Sequence, residues 1–218
     1  MTTRREANTG ILAGAAAAAT RPAAAQTTEP RALPKAQMDG GMPLMVALKL
    51  RRSTREYSAR SLSDQTLSNL LWAAFGINRP SGDRTAPYWR HIMVIDVYLA
   101  TADGVFLYDP KDHALVEYMK DDIRADTGLQ DFVATAPLNL VYVAHGERMK
   151  DITPEDRRLY ASVDAAFIGQ NVYLYCASEG LASVFRGAVD YDKLTRRMKL
   201  PEQQFVTFAQ TVGYGARP

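Results

Sequence analysis

The stretch from Thr153 to Gly180 constrains this chain more than any other. Thr153 offers a side-chain cap, Pro154 suits the first helical turn, and Glu155 and Asp156 put negative charge at the positive end of the helix dipole. No proline follows before Gly180, where the helix is expected to stop. Residues 165–177 are apolar nearly all round, which predicts a central helix buried on most sides. Other elements must then be laid against it.

Those elements can be read from the change of period. Residues 92–99 are β-branched and nearly continuous, as in a strand covered on both faces. Ala102-Asp103-Gly104 turns the chain into residues 105–108, a hairpin, and residues 113–118 add a short edge strand. Residues 138–144, 182–185 and 205–212 read as further strands. Helices are expected at residues 42–50, after Ser63 as N-cap with a stop at Gly76, at 121–127, and at 191–198. Residues 78–84 hold Pro80 and Gly82 and form a loop. Interleaved strands and helices with a hairpin give an α+β class. With 218 residues, 47% of them hydrophobic, one domain can close a full core.

The first 25 residues have another character. Arg4-Arg5 precede an uncharged, alanine-rich run and then Ala23-Ala24-Ala25, the order of an export signal. The paired arginines suggest the twin-arginine route and a periplasmic location in a bacterium, although Ala7 is weak where that signal usually carries a large apolar residue. The run is too short to span a bilayer, so no stable membrane anchor is expected. Residues 26–41 read as a linker and 42–218 as the folded domain. Without residues 1–25 the chain carries equal numbers of basic and acidic residues, which argues against a nucleic-acid binder. The single cysteine, Cys176, falls in an apolar helical pattern and reads as a buried thiol. His91, His113 and His145 have no metal-ligand spacing.

Local charge is concentrated at Arg51-Arg52-Ser53-Thr54-Arg55, directly after the first helix. Arginine forks fit phosphate or carboxylate oxygens in pairs, and the hydroxyls add donors. The residues alone allow an anion site or a solvated helix end with cations near the negative pole. No glycine-rich phosphate loop, dinucleotide fingerprint or catalytic triad occurs, and no catalytic side chain is assigned.

Four pieces together resemble the nitroreductase family of flavoproteins, near the branch with the dehydrogenase-like members of peptide-cyclisation clusters. They are Arg51 to Arg55, Arg84-Thr85-Ala86-Pro87, the run from Gly180 through Arg186, Gly187 and Ala188, and Val212-Gly213-Tyr214-Gly215 with Arg217. The resemblance implies a nitroreductase-like fold, a central and mostly antiparallel sheet flanked by helices around the long helix, in a homodimer. It implies FMN as cofactor, NAD(P)H as a possible electron donor and a small electron-accepting substrate of nitro or quinone type. On that basis Arg51, Arg52, Ser53, Arg55 and Arg217 would hold the phosphate, ribityl chain and pyrimidine edge. Ala86, Pro87, Tyr88 and His91 would reach the flavin across the dimer, and Arg186, Gly187 and Ala188 would face it. The family's serine, asparagine and glutamine after the Ala-Pro pair are here Tyr88, His91 and Met93. Tyr88 and Trp89 could then narrow the pocket, anchor the dimer, or simply reflect drift in an interface loop. The altered loop also leaves a flavin- or ligand-binding protein without efficient turnover as the alternative.

Overall fold

The computed structural model describes residues 29–216. The export signal expected at residues 1–25 and Arg217 lie outside them.

Seven strands form one antiparallel sheet in the order β1-β4-β3-β2-β5-β7-β6. They are β1 (Arg31–Ala32), β2 (Ile95–Thr101), β3 (Gly104–Asp109), β4 (Ala114–Met119), β5 (Leu138–His145), β6 (Leu181–Arg186) and β7 (Gln204–Tyr214). β5 is buried throughout and lies inside the sheet, with β2 on one side and β7 on the other. Its alternation divides the core. Leu138, Leu140 and Tyr142 pack with the helices α2 (Asp64–Phe75) and α3 (Pro154–Glu179), against the latter of which α1 (Leu44–Leu50) lies, whereas Val141 and Val143 pack with α4 (Tyr191–Arg197) on the opposite face.

The caps work as the sequence implies. The Ser63 hydroxyl accepts from Thr66 N–H and the Thr153 hydroxyl from Asp156 N–H, satisfying first-turn donors of α2 and α3. α3 stops at Gly180, whose φ of 69° lies in the left-handed region that glycine enters without a Cβ penalty. Within α3, Gly169 permits close contact with β6, because a Cβ there would lie 2.4 Å from the Phe185 ring.

Three expectations change. Part of the segment read as a linker is built into the fold: β1 pairs with β4, Leu33 N–H donates to His113 O, and Leu33 and Ala36 are buried. Its prolines and glycines hid a short edge strand that gains its hydrogen bonds only from a distant partner. Residues 121–127 contain only a short 3-10 turn, Arg124–Asp126, because Asp122 engages the Arg124 side chain and N–H there. Most important, α3 is not buried on most sides. Ala161, Ala165, Ile168, Val172 and Cys176 face the core, while Leu159, Tyr160, Val163 and Phe167 form an exposed apolar stripe. α1 adds exposed apolar side chains of its own, Leu44 and Met45, which are 61% and 74% exposed. Apolar composition all round a helix tells how much of it is covered, but not by which chain. Among the described residues, no helix is long and apolar enough to cross a membrane.

Candidate functional site

The arginine stretch leaves α1 at Arg51 and crosses the edge of the sheet beside β6. It is fixed there by neutral bonds. Thr54 N–H donates to Ser183 O over 2.9 Å, and Ser58 N–H to Tyr214 O over 2.9 Å. The Ser53 hydroxyl meets the Tyr173 hydroxyl of α3 at 2.7 Å, and that oxygen accepts from Phe185 N–H at 2.8 Å. Tyr57 closes the segment by donating to Thr54 O and by stacking at a tilt on Phe132.

These tethers leave the cationic groups unspent. Arg51 lies over the Tyr173 ring and Arg60 over the Tyr214 ring, both cation–π contacts. Among the described residues, neither they nor Arg52 and Arg55 make an ion pair with a carboxylate. Arg52 and Arg60, with Tyr173, Leu181 and Ala182, line an open cavity of about 560 Å³ at the end of β6. Just beyond β6, Gly187 is exposed and Ala188 half-buried, and the N–H groups of both lack a protein acceptor among the described residues. Arg51, Arg52, Ser53 and Arg55 therefore gather beside the first half of β6, whereas Gly187 and Ala188 follow its last residue.

The Arg186 side chain does not join them. It turns to the sheet face opposite α3, where it is 3% exposed. Its guanidinium donates to Thr211 Oγ1, Thr127 O and Asn139 Oδ1 at 2.9–3.1 Å. Burial pulls its pKa down to about 10. This buried network holds the side chain on that face, so only the backbone of Arg186 can take part in the site. Strand alternation decides the matter: Ser183 and Phe185 face α3, and the next residue faces away.

The second predicted group lies elsewhere in the protomer. Ala86 is buried, and Pro87 leads into Tyr88 and a 3-10 turn, Trp89–His91. Arg90 and His91 both have positive φ, 46° and 56°. The Tyr88 hydroxyl donates to the Asp83 carboxylate, and the Tyr88 ring meets Phe75 and His91 edge-on. His91 Nδ1 is 3.5 Å from the same carboxylate and the ring is well exposed. Hydrogen bonds from Tyr88 and Ser81 hold the Asp83 pKa down at about 2. Met93, where the family pattern has a polar residue, takes the Arg84 guanidinium on its sulfur at 2.9 and 3.3 Å.

The turn is anchored to α3 by Asp164, a residue that no sequence motif singles out. Asp164 accepts the Trp89 N–H through both oxygens, at 3.1 and 2.9 Å. An acid inside a run of small and apolar residues, Ser162 to Phe167, was the available signal. Asp164 and Tyr173 are nine residues apart on α3, about 13–14 Å along its axis. The turn and the arginine cluster thus lie at separate points of one protomer.

His145 was also unassigned. It bonds Asp96 and Glu147 at 2.7 Å each, on the sheet face away from α3. Burial lowers its pKa, but the two carboxylates outweigh this and leave it raised. No group suited to a metal ion occurs among the described residues. Cys176 is buried, with its thiol pKa pushed up to about 12 by burial, as befits a packing residue.

An antiparallel α+β sheet with a long helix across one face and a basic segment clamped at the end of that helix defines a nitroreductase-like protein. The nitroreductase family model matches residues 48–214, and the chain belongs to that family. A nitroreductase-family protein of Methanocaldococcus jannaschii is 30% identical over 162 residues, covering 70% of this chain and 82% of the relative. A nitroreductase-family crystal structure from Ralstonia eutropha JMP134 is 43% identical with a TM-score of 0.83, over 91% of this chain and 95% of that one. The NADPH:FMN oxidoreductase of Vibrio harveyi, solved with NAD+, shares the fold at a TM-score of 0.59 and 20% identity, over 80% of this chain and 69% of that one.

Proposed function

We propose that this protein is an FMN-dependent oxidoreductase, active as a homodimer, that passes electrons to a small electron-accepting organic molecule of nitro or quinone type. The observation that carries the reading is the set of guanidinium groups at Arg51, Arg52, Arg55 and Arg60, held in place by neutral tethers and left without carboxylate partners among the described residues. A phosphorylated, planar cofactor fits that donor set. Arg51, Arg52, Ser53 and Arg55 would hold its phosphate, ribityl and pyrimidine oxygens. The free N–H groups of Gly187 and Ala188 suit an electron-rich ring edge. Arg217 would add a further cation.

When bound, FMN supplies the two-electron chemistry. The residues bind and orient it, and no side chain need serve as acid or base. NAD(P)H is the donor to test, with the acceptor entering after the donor has left. The exposed apolar stripe on α1 and α3 supports a second copy as its cover. That copy would bring Ala86, Pro87, Tyr88 and His91 to the cofactor, which a single protomer keeps apart from the arginine cluster. The Arg4-Arg5 and alanine-rich segment supports export in the folded state to the periplasm.

A second reading, a flavin- or ligand-binding protein without efficient turnover, draws on the same turn. Tyr88 and Met93 are already engaged by Asp83 and Arg84 of their own chain. A visible spectrum of the purified protein, before and after FMN is added, tests the first part. A colourless protein that FMN cannot reconstitute would sink both flavin readings. Rapid bleaching by NAD(P)H or dithionite, with recovery on adding a quinone or nitroaromatic, is expected of the enzyme. Bound flavin that exchanges electrons with neither donor nor acceptor would favour the second reading.

A further inference from the structure

Asp164 is the costliest side chain to keep on α3. It is 3% exposed and has no cationic partner among the described residues. Burial raises its carboxyl pKa to about 6, against which the Trp89 N–H acts. A neutral side chain here would avoid the penalty of burying a charge. The expense falls where the backbone is most strained, since Arg90 and His91 are consecutive non-glycine residues in the left-handed region. Such a turn persists only if its surroundings over-determine it, and its first N–H is what the carboxylate grips.

We propose that Asp164 is a positioning residue: its carboxylate, by holding the Trp89 N–H, locks the strained turn at residues 88–91 and sets how Tyr88 and His91 are presented to the flavin site. The presentation rests on the function proposed above; the latch itself does not. The grip is spread over both carboxylate oxygens, so loss of the negative charge weakens both contacts to the same donor. Because the Trp89 N–H lowers the carboxyl pKa that burial raises, the bond itself favours the charged form: it is tight above about pH 6 and slackens as the pH falls through that value, even though burial of the group favours the neutral acid. Ionisable groups on and around the turn are Tyr88, Arg90 and His91, Asp83 behind it, and Tyr160 of α3, whose ring meets Trp89. α2 and β2 complete the surroundings with apolar residues such as Leu71, Phe75 and Val97.

Hydrogen exchange at the Trp89 amide, measured on the whole chain and corrected for intrinsic rate, reads the latch directly. At pH 8 the Asp164→Ala variant is expected to lose protection at least tenfold, and Asp164→Asn, which keeps one acceptor, to lose less. Lowering the pH from 8 to 5 should erode protection in the wild type through about pH 6 and leave Asp164→Asn flat. Unchanged protection in Asp164→Ala, or, should that variant not fold, identical pH profiles for wild type and Asp164→Asn, overturns the latch. Presentation is read by the KM for a quinone acceptor, expected to rise several-fold in Asp164→Asn with FMN occupancy retained. An unchanged KM in a variant that has lost protection overturns the positioning role. Failure of the wild type to bind FMN overturns the proposed function instead, while lost Trp89 protection in the variants still establishes the latch.

Discussion

Two arginine environments flank β6, and they use the same side chain in opposite ways. Arg186 is buried, and each of its guanidinium nitrogens donates to a fixed oxygen. Arg51, Arg52 and Arg55, across the sheet edge, are positioned by Ser53, Thr54 and Tyr57, while their own charged groups have no carboxylate partner among the described residues. A guanidinium that is buried with every nitrogen engaged stabilises the fold and is out of reach of a ligand. One held in place through its neighbours keeps its donors for an anion. The segment that is electrostatically incomplete is therefore the one proposed to hold the cofactor, and the motif residue with the better bonds serves the fold.

The sharpest way to break this contrast is Arg186→Met. It leaves Thr127 O without a donor, takes one bond each from Asn139 and Thr211 and leaves a shape mismatch, so a loss of about 3 kcal/mol in urea unfolding is expected. If Arg186→Met instead kept full stability and released FMN, the two roles would have to be exchanged.

Next in size is Asp164→Asn. The folded pKa of Asp164 is raised to about 6, so the folded state binds more protons than the unfolded state between roughly pH 4 and pH 6. Wild-type stability contributed by this group is present at low pH and is lost as the pH rises through that window. The variant is expected to be more stable than the wild type by on the order of 2 kcal/mol at pH 8, with the gain vanishing near pH 4. Thermal melts across pH check this, and a variant less stable at pH 8 would contradict the view that this carboxylate costs the fold stability.

Tyr173→Phe removes the hydroxyl shared by Ser53 and Phe185 N–H. A loss of about 1–2 kcal/mol is expected, together with weaker FMN retention on gel filtration, because the cluster loses its tether and keeps its charges. The smallest effect on folding belongs to Arg51→Ala and Arg55→Ala, within about 0.5 kcal/mol of wild type. Their FMN dissociation constant should nevertheless rise tenfold or more, measured by flavin fluorescence. Full flavin occupancy in both variants would overturn the phosphate assignment.

Much of this architecture was legible in the residues. Ser63 and Thr153 announce α2 and α3 because a cap is a local bond, and Gly180 ends α3 because a left-handed residue is a local requirement. The strands at the middle of the sheet announce themselves because burial on both faces leaves a continuous apolar run. The arginine stretch could be singled out, since charge density is a property of sequence. β1 could not, because its two residues become a strand only through the backbone of β4.

What only the tertiary structure decided has one physical cause: facing. Whether Arg186 points toward α3 or away from it depends on the register of β6 against β7. Which side of α3 is covered depends on how the sheet lies across it, and residues 165–177 carry no trace of that. Asp164 reads as one more scattered carboxylate until the chain returns the Trp89 N–H to it from 75 positions away. The sequence by itself determined most of the elements, the fold family and the location of concentrated positive charge. Through-space distance determined which charges are used up inside the fold and which are left for a ligand.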